Sequence, residues 1–214
     1  MRLLPTLTLA ATATALPSHP PSHSSSTGFQ LLALPHPPTP GQPPSSPPRY
    51  LSAIHTGAGQ NAAVLSPDLS SARLFYLNGT TPQIRARQAT ILTDGGTPPF
   101  PFSLQVQRPG EEGRVAAVSV GSGMPGAVER GRGVVNGWDR DGKGRGGWWV
   151  CEEMVAYYNR VFEVVRYAYD GKAPGEGCKA VRLVARCAVL NELPAGSLSS
   201  HEFVGEVGCE EGDK

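Results

Sequence analysis

The clearest indication of the fold is the stretch from Gly147 to Leu190, which reads GWWVCEEMVAYYNRVFEVVRYAYDGKAPGEGCKAVRLVARCAVL. It contains three short apolar runs rich in β-branched and aromatic residues, Gly147 to Glu152, Val161 to Tyr169 and Cys178 to Leu190. The turn signal Asp170-Gly171 follows the second run. Runs of this kind, bounded by Gly, Pro, Asn and Asp, are typical of antiparallel strands rather than βαβ units.

The same pattern extends toward the N-terminus. Turn residues separate five more apolar segments, which are Tyr50 to His55, Ala62 to Leu65, Ala72 to Leu77, Ser103 to Gln107 and Val115 to Val120. A short helix over Cys151 to Arg160 is the alternative at one place, although Tyr157-Tyr158 followed by Val161-Phe162 suits a strand equally well. We therefore predict an all-β domain, an antiparallel β-sandwich or barrel held by disulfides.

The first fifteen residues have the pattern of a secretory signal peptide. Met1-Arg2 is positively charged, Leu3 to Ala11 is a short apolar run, and Ala13-Thr14-Ala15 has the small-residue spacing of a cleavage site. We predict that residues 1–15 are removed and that the mature protein is secreted and extracellular.

Residues 16–48 are rich in Pro and Ser. Eleven of the 21 prolines of the chain lie here, and no acidic residue accompanies them. Such a segment buries too little apolar surface to offset its ordering entropy, so we expect it to be mostly disordered. A first strand at 29–34 is the exception. The β domain is then 49–209, and residues 210–214 form an acidic tail.

A Gly/Arg-rich loop is predicted at 110–147, which contains twelve glycines and is expected to be disordered. Gly121 to Gly126 spells G-x-G-x-x-G, and Gly137 to Lys143 matches most of a phosphate-binding loop. No helix can follow either pattern, so we expect no nucleotide and no other cofactor. Lys143 occupies a ligand position of the calcium-loop pattern that begins at Asp139, and we expect no metal.

The charge balance argues against polyanionic partners. Nineteen Lys and Arg nearly cancel eighteen Asp and Glu, so no strong field attracts nucleic acid or an anionic membrane. No apolar run reaches the roughly 18 residues that span a bilayer. We expect a soluble monomer with neither nucleic acid nor membrane as partner.

Four cysteines in an oxidising compartment allow three disulfide connectivities. Cys178 and Cys187 are nine residues apart in one predicted strand, so they face opposite sides of the sheet and should not pair. Of the two remaining arrangements we favour Cys151–Cys178, which joins two strands and stabilises by on the order of 3 kcal/mol. Cys187–Cys209 would then fasten the C-terminal segment.

Two functions compete for the candidate site residues. A non-enzymatic module that binds carbohydrate, a cell-wall component or a host surface would use exposed aromatic rings. The ligand-facing candidates are His55, Trp148, Trp149 and Tyr157, with Trp138 and Tyr158 in the same aromatic set. A secreted glycosidase-like hydrolase would draw its acid or base from Glu152, Glu153, Asp94 or His55, but no catalytic motif supports it. Asn78-Gly79-Thr80 is an N-glycosylation sequon at a turn.

Four sequence blocks together resemble a family of small secreted proteins of filamentous fungi built on a domain of unknown function. The blocks are His55 to Leu65 (HTGAGQNAAVL), Phe75 to Thr80 (FYLNGT), Gly147 to Cys151 (GWWVC) and Gly177 to Leu183 (GCKAVRL). The resemblance covers Phe29 to about Val189. It implies a signal peptide, a mostly β domain and a pair between Cys151 and Cys178, and it implies no activity.

Overall fold

The computed structural model describes residues 23–36, 47–86, 88–106, 115–121, 134–135 and 146–211. These residues fold into one β-sheet, and the all-β prediction is confirmed. In chain order the strands are β1 (His23–Ser26), β2 (Gly28–Pro35), β3 (Arg49–Gly57), β4 (Gln60–Ser66), β5 (Phe75–Asn78), β6 (Thr90–Gly95), β7 (Phe100–Val106), β8 (Val115–Gly121), β9 (Val134–Val135), β10 (Gly147–Val155), β11 (Arg160–Ala168), β12 (Lys179–Ala188), β13 (Val204–Gly205) and β14 (Val207–Glu210).

The strand pairings close into rings, which is the property of a barrel. One antiparallel ring runs β2–β12–β10–β11–β4–β3 and returns to β2. β2 also pairs with β5 near its start, and β5, β6, β7 and β8 continue the sheet until β8 reaches β11 and β4. The β3–β4 hairpin therefore lies inside a larger circuit of strands.

The core collects side chains from every part of this circuit. Phe29 and Leu31 of β2 contribute to it together with Phe75 of β5 and Leu183 of β12, and all four are essentially inaccessible to solvent. Burial of large apolar side chains in one contiguous cluster is the main term that stabilises such a domain. The alternation of buried and less buried residues in β2 follows the strand period of two.

The N-terminal region is more ordered than its composition predicts. The strand expected at 29–34 occupies Gly28–Pro35 and pairs with β12 over eight residues, so it is central to the sheet. His23–Ser26 adds a further strand, β1, against β14. The tail expected at 210–214 begins inside β14, because Glu210 pairs with His23. Long-range pairing partners, which local composition does not reveal, supply the order here. The remaining residues predicted to be disordered, 16–22 and 37–46, lie outside the described residues, as does the predicted signal peptide at 1–15.

The segment 110–147 is not one uninterrupted loop. β8 crosses it at Val115–Gly121 and pairs with three other strands, β7, β11 and β4, and β9 pairs with β12 at Val134–Val135. Residues 110–114, 122–133 and 136–145 lie outside the described residues; they include Trp138, the Gly137–Lys143 pattern and all of the G-x-G-x-x-G pattern except Gly121.

The structure also decides two local points. The alternative of a short helix over Cys151–Arg160 does not occur, since β10 continues to Val155 and only a 3₁₀ turn at Ala156–Tyr158 precedes β11. Asn78-Gly79 is not a hairpin turn, because the short helix α1 (Thr81–Arg85) separates β5 from β6. β6 itself was not predicted. Within the described residues no helix has the length and apolar character that crossing a lipid bilayer requires.

Two glycines and an asparagine hold the tip of the β3–β4 hairpin against β8. Gly59 has φ of 68° at the turn, and its carbonyl oxygen lies 2.7 Å from where a Cβ on Gly121 would stand. A side chain at Gly121 would therefore separate the two strands. Beside it, the Asn61 Nδ2 group donates to the Val120 carbonyl oxygen at 2.6 Å. These residues join the hairpin to β8.

The structure contains two disulfides, Cys151–Cys178 and Cys187–Cys209, which are the pairings that the sequence favours. Val150 of β10 faces Lys179 of β12, so the first disulfide continues the register of those strands by one step. The second links β12 to β14. Residues 189–206, with little regular structure, run between the two linked strands.

Candidate functional site

The β10–β11 hairpin carries the candidate site at its tip. Nine residue pairs, from Gly147 opposite Ala168 to Val155 opposite Arg160, hold the two strands in register. The connection is the 3₁₀ turn at Ala156–Tyr158, and Asn159 closes it with φ of 48°. Asparagine tolerates this left-handed conformation better than most residues, which explains how so tight a return is made.

Four rings form a continuous strip at this tip, which we call the aromatic strip (His55, Tyr157, Tyr158 and Phe162). The ring centroids of His55 and Tyr157 lie 5.4 Å apart, those of Tyr157 and Tyr158 5.1 Å, and those of Tyr158 and Phe162 5.6 Å. Each pair makes an edge-to-face contact, a preferred geometry of aromatic pairs. Tyr157 is 62 % exposed and Tyr158 43 % exposed, so the strip faces solvent.

A cleft of about 240 Å³ adjoins the strip. It lies between the tip of the β3–β4 hairpin and the β10–β11 hairpin, and Ser119 of β8 contributes to its wall. The described lining is partly apolar, and its polar residues are Thr56, Gln60, Asn61, Ser119, Glu153 and Arg166. Glu153, which lines the cleft, pairs directly across the hairpin with Phe162 of the strip, so these two side chains lie on the same face of the sheet. The cleft and the strip therefore form one surface.

An ion pair lies in the cleft. The Arg166 Nε donates to Glu153 Oε1 at 2.8 Å, and Arg166 Nη2 bonds Glu153 Oε2. This bidentate geometry is the strong, orientationally fixed form of the Arg–carboxylate contact. Another glutamate of the hairpin, Glu163, lies with its Oε2 3.4 Å from Arg49 Nε and points to the face of β11 opposite that of Arg166. The hairpin thus presents one Arg–Glu pair on each face.

The predicted ligand-facing residues separate into two groups. His55 and Tyr157 come together in the aromatic strip, which also includes Tyr158. Trp148 does not face a ligand: it is 5 % exposed and packs in the core against Tyr167, with centroids 5.1 Å apart. Trp149 lies on the cleft's side of the sheet, but it is half-buried and does not line the cleft. Burial of a large ring in the core explains the position of Trp148.

The acidic residues named for the hydrolase alternative do not meet in one place. Glu153 is paired with Arg166, and Glu152 is exposed on the other face of β10. Asp94 belongs to a separate cluster on β5 and β6. Its Oδ1 accepts from the Tyr76 hydroxyl at 3.0 Å, and its Oδ2 lies 2.9 Å from His201 Nε2.

His201 was missed by sequence reasoning, which placed it in a polar tail. The chain returns it to Asp94 across 107 residues of sequence, and its ring contacts Tyr76 at 4.7 Å between centroids. Burial, and then the nearby Asp94 carboxylate, raise the pKa of the Tyr76 hydroxyl. No local sequence signal could have identified this contact, because it depends on the path of residues 189–206.

The remaining candidate features are a metal site and the glycosylation sequon. In the part of the chain that the structure describes, no three His, Cys, Asp or Glu side chains are grouped as a metal site would require. Asn78 is the last residue of β5, is half-buried, and lies between Thr90 of β6 and Val204 of β13. Its glycosylation stays a prediction.

Comparisons with known proteins agree on a family without an assigned activity. A model of a domain of unknown function, DUF7907, matches residues 26–187. The chain is also similar to "Antigenic protein SchS34" of the fungus Stachybotrys chartarum, with 34 % identity over 208 residues that cover 91 % of this chain and 90 % of that protein. No solved structure matches. With most of its β domain inside the matched range, the chain belongs to the DUF7907 family of fungal proteins.

Proposed function

We propose that this protein is a secreted, non-enzymatic module that binds carbohydrate on a cell wall or host surface through the aromatic strip. The observation that carries the proposal is the exposure of contiguous rings at the hairpin tip. Exposed aromatic side chains cost hydrophobic free energy unless a partner covers them, so a group of them marks an interaction site. The C–H faces of sugar rings are apolar and stack on such surfaces.

Three further features support an extracellular location. Both disulfides suit an oxidising compartment, and residues 1–15 have the signal-peptide pattern. The fungal relative is named an antigenic protein, a description that fits a protein exposed to a host.

Binding is better supported than hydrolysis by the composition of the cleft. Glycosidases commonly place two carboxyl groups on opposite sides of the scissile bond. Among the described residues that line this cleft, Glu153 is the single carboxylate, and Arg166 occupies both of its oxygens. An anchored ion pair next to an aromatic platform suits recognition of a polar, ring-shaped ligand.

The test is a glycan array and a pull-down with wall polysaccharides, using the secreted wild-type protein and Tyr157→Ala/Tyr158→Ala. We expect the wild type to bind at least one glycan class and the double variant to lose at least tenfold in affinity, because stacking on exposed rings contributes on the order of 1 kcal/mol or more for each ring.

Phe203→Ala is the matched control. Phe203 is an exposed aromatic residue, 49 % accessible, on the C-terminal segment away from the strip. This variant should bind as the wild type does. Absence of binding to every glycan and polysaccharide by the wild type would overturn the proposal, as would equal losses in the two variants.

A further inference from the structure

We infer that the ligand of this surface is a single, uncharged oligosaccharide chain, with one sugar unit held by the Glu153–Arg166 pair in the cleft and the adjoining units stacked on the aromatic strip. The inference rests on the proposed carbohydrate function and specifies its substrate class. Four observations support it: the size of the cleft, the hydrogen-bonding groups it offers, its charge, and the orientation of the rings.

The cleft is too small for a whole oligosaccharide. Pockets for drug-sized ligands measure roughly 300–1,000 Å³, whereas this one measures about 240 Å³. A single pyranose unit is the ligand size that suits it. The remaining units of a chain must lie outside, and the strip is the adjoining surface with exposed rings.

The ion pair provides donors and acceptors in a fixed arrangement. A guanidinium has five N–H groups, and Glu153 accepts from Nε and Nη2, so Nη1 and one hydrogen of Nη2 remain for a ligand. The carboxylate oxygens retain lone pairs that can accept from sugar hydroxyls. Because the contact is bidentate, both groups are held in position before the ligand arrives, and binding costs little side-chain entropy.

The charge of the cleft favours a neutral sugar. Arg166 is already neutralised by Glu153, and no second cation is found among the described lining residues. A uronic acid would bring a second carboxylate next to Glu153, and like charges at short range repel strongly where water is partly excluded. Arg160 is not a lining residue of the cleft: its guanidinium lies 5.4 Å from the centroid of the Phe162 ring, against the strip.

The rings do not form a plane. Tyr157 and Tyr158 are inclined by 64°, Tyr158 and Phe162 by 66°, and His55 and Tyr157 by 88°. A crystalline polysaccharide presents a flat face that requires coplanar rings for simultaneous contact. A single chain, whose successive units can rotate about their linkages, can follow inclined rings. We therefore assign a soluble chain rather than a crystalline surface.

The experiment measures affinity by calorimetry for the secreted full chain with neutral glucan, mannan and chitin oligosaccharides, with oligogalacturonates, and with microcrystalline cellulose and chitin. We expect the wild type to bind one neutral class at least tenfold more tightly than any oligogalacturonate. Glu153→Gln keeps the side-chain shape and removes the charge; we expect about tenfold weaker binding of the neutral ligand and a smaller discrimination against the acidic one.

Glu163→Gln is the matched control. It removes a glutamate of similar exposure from a second Arg–Glu pair, on the opposite face of the same hairpin. Its affinity should equal that of the wild type. Thermal unfolding of both variants shows whether each remains folded, and Tyr157→Ala supplies a strip variant that leaves the ion pair intact.

Each outcome has a defined meaning. If a glycan binds but Glu153→Gln behaves as Glu163→Gln does, the cleft assignment is wrong and the carbohydrate function stands. Tighter binding of oligogalacturonates, or of crystalline polymer over soluble chains, also overturns the inference. If the wild type binds no glycan, the proposed function itself fails.

Discussion

At the residue scale, Tyr76 combines a buried ring with a polar hydroxyl group. Its side chain is fully buried in β5, yet its hydroxyl has a partner in Asp94, which in turn contacts His201. Burial raises the pKa of Tyr76 above its ordinary value of 10.0, and the Asp94 charge and hydrogen bond raise it further. A phenol in this position is held neutral, since its ionised form would be both desolvated and repelled.

This shift predicts a loss of stability at alkaline pH. Above pH 10 the unfolded chain releases the Tyr76 proton while the folded chain retains it, so the unfolded state is favoured as pH rises. The expected slope from this group is about −1.4 kcal/mol per pH unit. Urea unfolding at pH 8 and pH 11 measures it.

Tyr76→Phe is the comparison for that measurement. It should cost about 1 kcal/mol at pH 8 through the lost hydrogen bond, and it lacks the titrating group. We expect the stability difference between wild type and variant to shrink as pH rises from 8 to 11. A difference that stays constant over this range would show that the Tyr76 pKa is not raised.

At the element scale, the β10–β11 hairpin changes character along its length. Its base is flanked by β12 on one edge and by β8 and β4 on the other, with the last of these contacts at Val164. Beyond the base, Cys151–Val155 and Arg160–Glu163 pair with one another and with no other described strand. An isolated two-stranded hairpin is only marginally stable in water. The Cys151–Cys178 disulfide lies where support from β12 ends.

Removal of this disulfide should therefore loosen the candidate site. In the chain-entropy model, closing 27 residues contributes about 3.5 kcal/mol. For Cys151→Ala/Cys178→Ala we expect a stability loss of that size, together with faster amide hydrogen exchange in 151–163 than in the wild type. Denaturant titration and exchange mass spectrometry provide the two measurements.

The other disulfide provides the control. Cys187–Cys209 closes 22 residues, so Cys187→Ala/Cys209→Ala should lose nearly the same free energy of unfolding. Its added exchange should appear in 189–211 and not in the hairpin tip. Equal exchange of the tip in both variants would refute a local role for Cys151–Cys178.

At the scale of the whole molecule, both ends of the described chain meet in the sheet. β1 pairs with β14, and β14 is tied to β12 by a disulfide and a parallel contact at Arg186. Residues 189–206 return across the β5–β6 region, where the Gly79 amide donates to the Phe203 carbonyl and Asp94 contacts His201. The N-terminal strands and the C-terminal segment are thus parts of one cooperative domain.

Expression of the full chain in a filamentous fungus tests the expected location of this domain. We expect the protein in the medium, beginning at Leu16, because the small residues Ala13 and Ala15 suit signal-peptide cleavage. Intact-mass measurement before and after enzymatic deglycosylation shows where the mature chain begins and whether Asn78 carries a glycan. Asn78→Gln should abolish any glycan mass. Accumulation of uncleaved protein inside the cell would contradict the prediction.

From the sequence alone it was possible to predict the strand content and the aromatic side chains near the β10–β11 turn, and to exclude one of the three cysteine arrangements. These follow from local rules: side chains alternate along a strand, and residues nine apart in one strand cannot join. Helix α1 and strand β6 could not be predicted, because elements this short carry little periodic hydrophobic signal. Trp148 and Tyr157 are equally aromatic, and no local pattern distinguishes the buried ring from the exposed one.

Tertiary structure alone decided which residues meet. The ring closure of the sheet made β2 central although its surroundings are rich in Pro and Ser, brought His55 to Tyr157, and returned His201 to Asp94. Each of these contacts joins residues far apart in sequence, so it depends on the pairing of whole strands and on long-range loop closure. Some residues of the site, among them His55, Tyr157 and Glu153, could be named from the chain, but Phe162 and Arg166 join them only because β11 pairs with β10 and the two hairpins pack side by side.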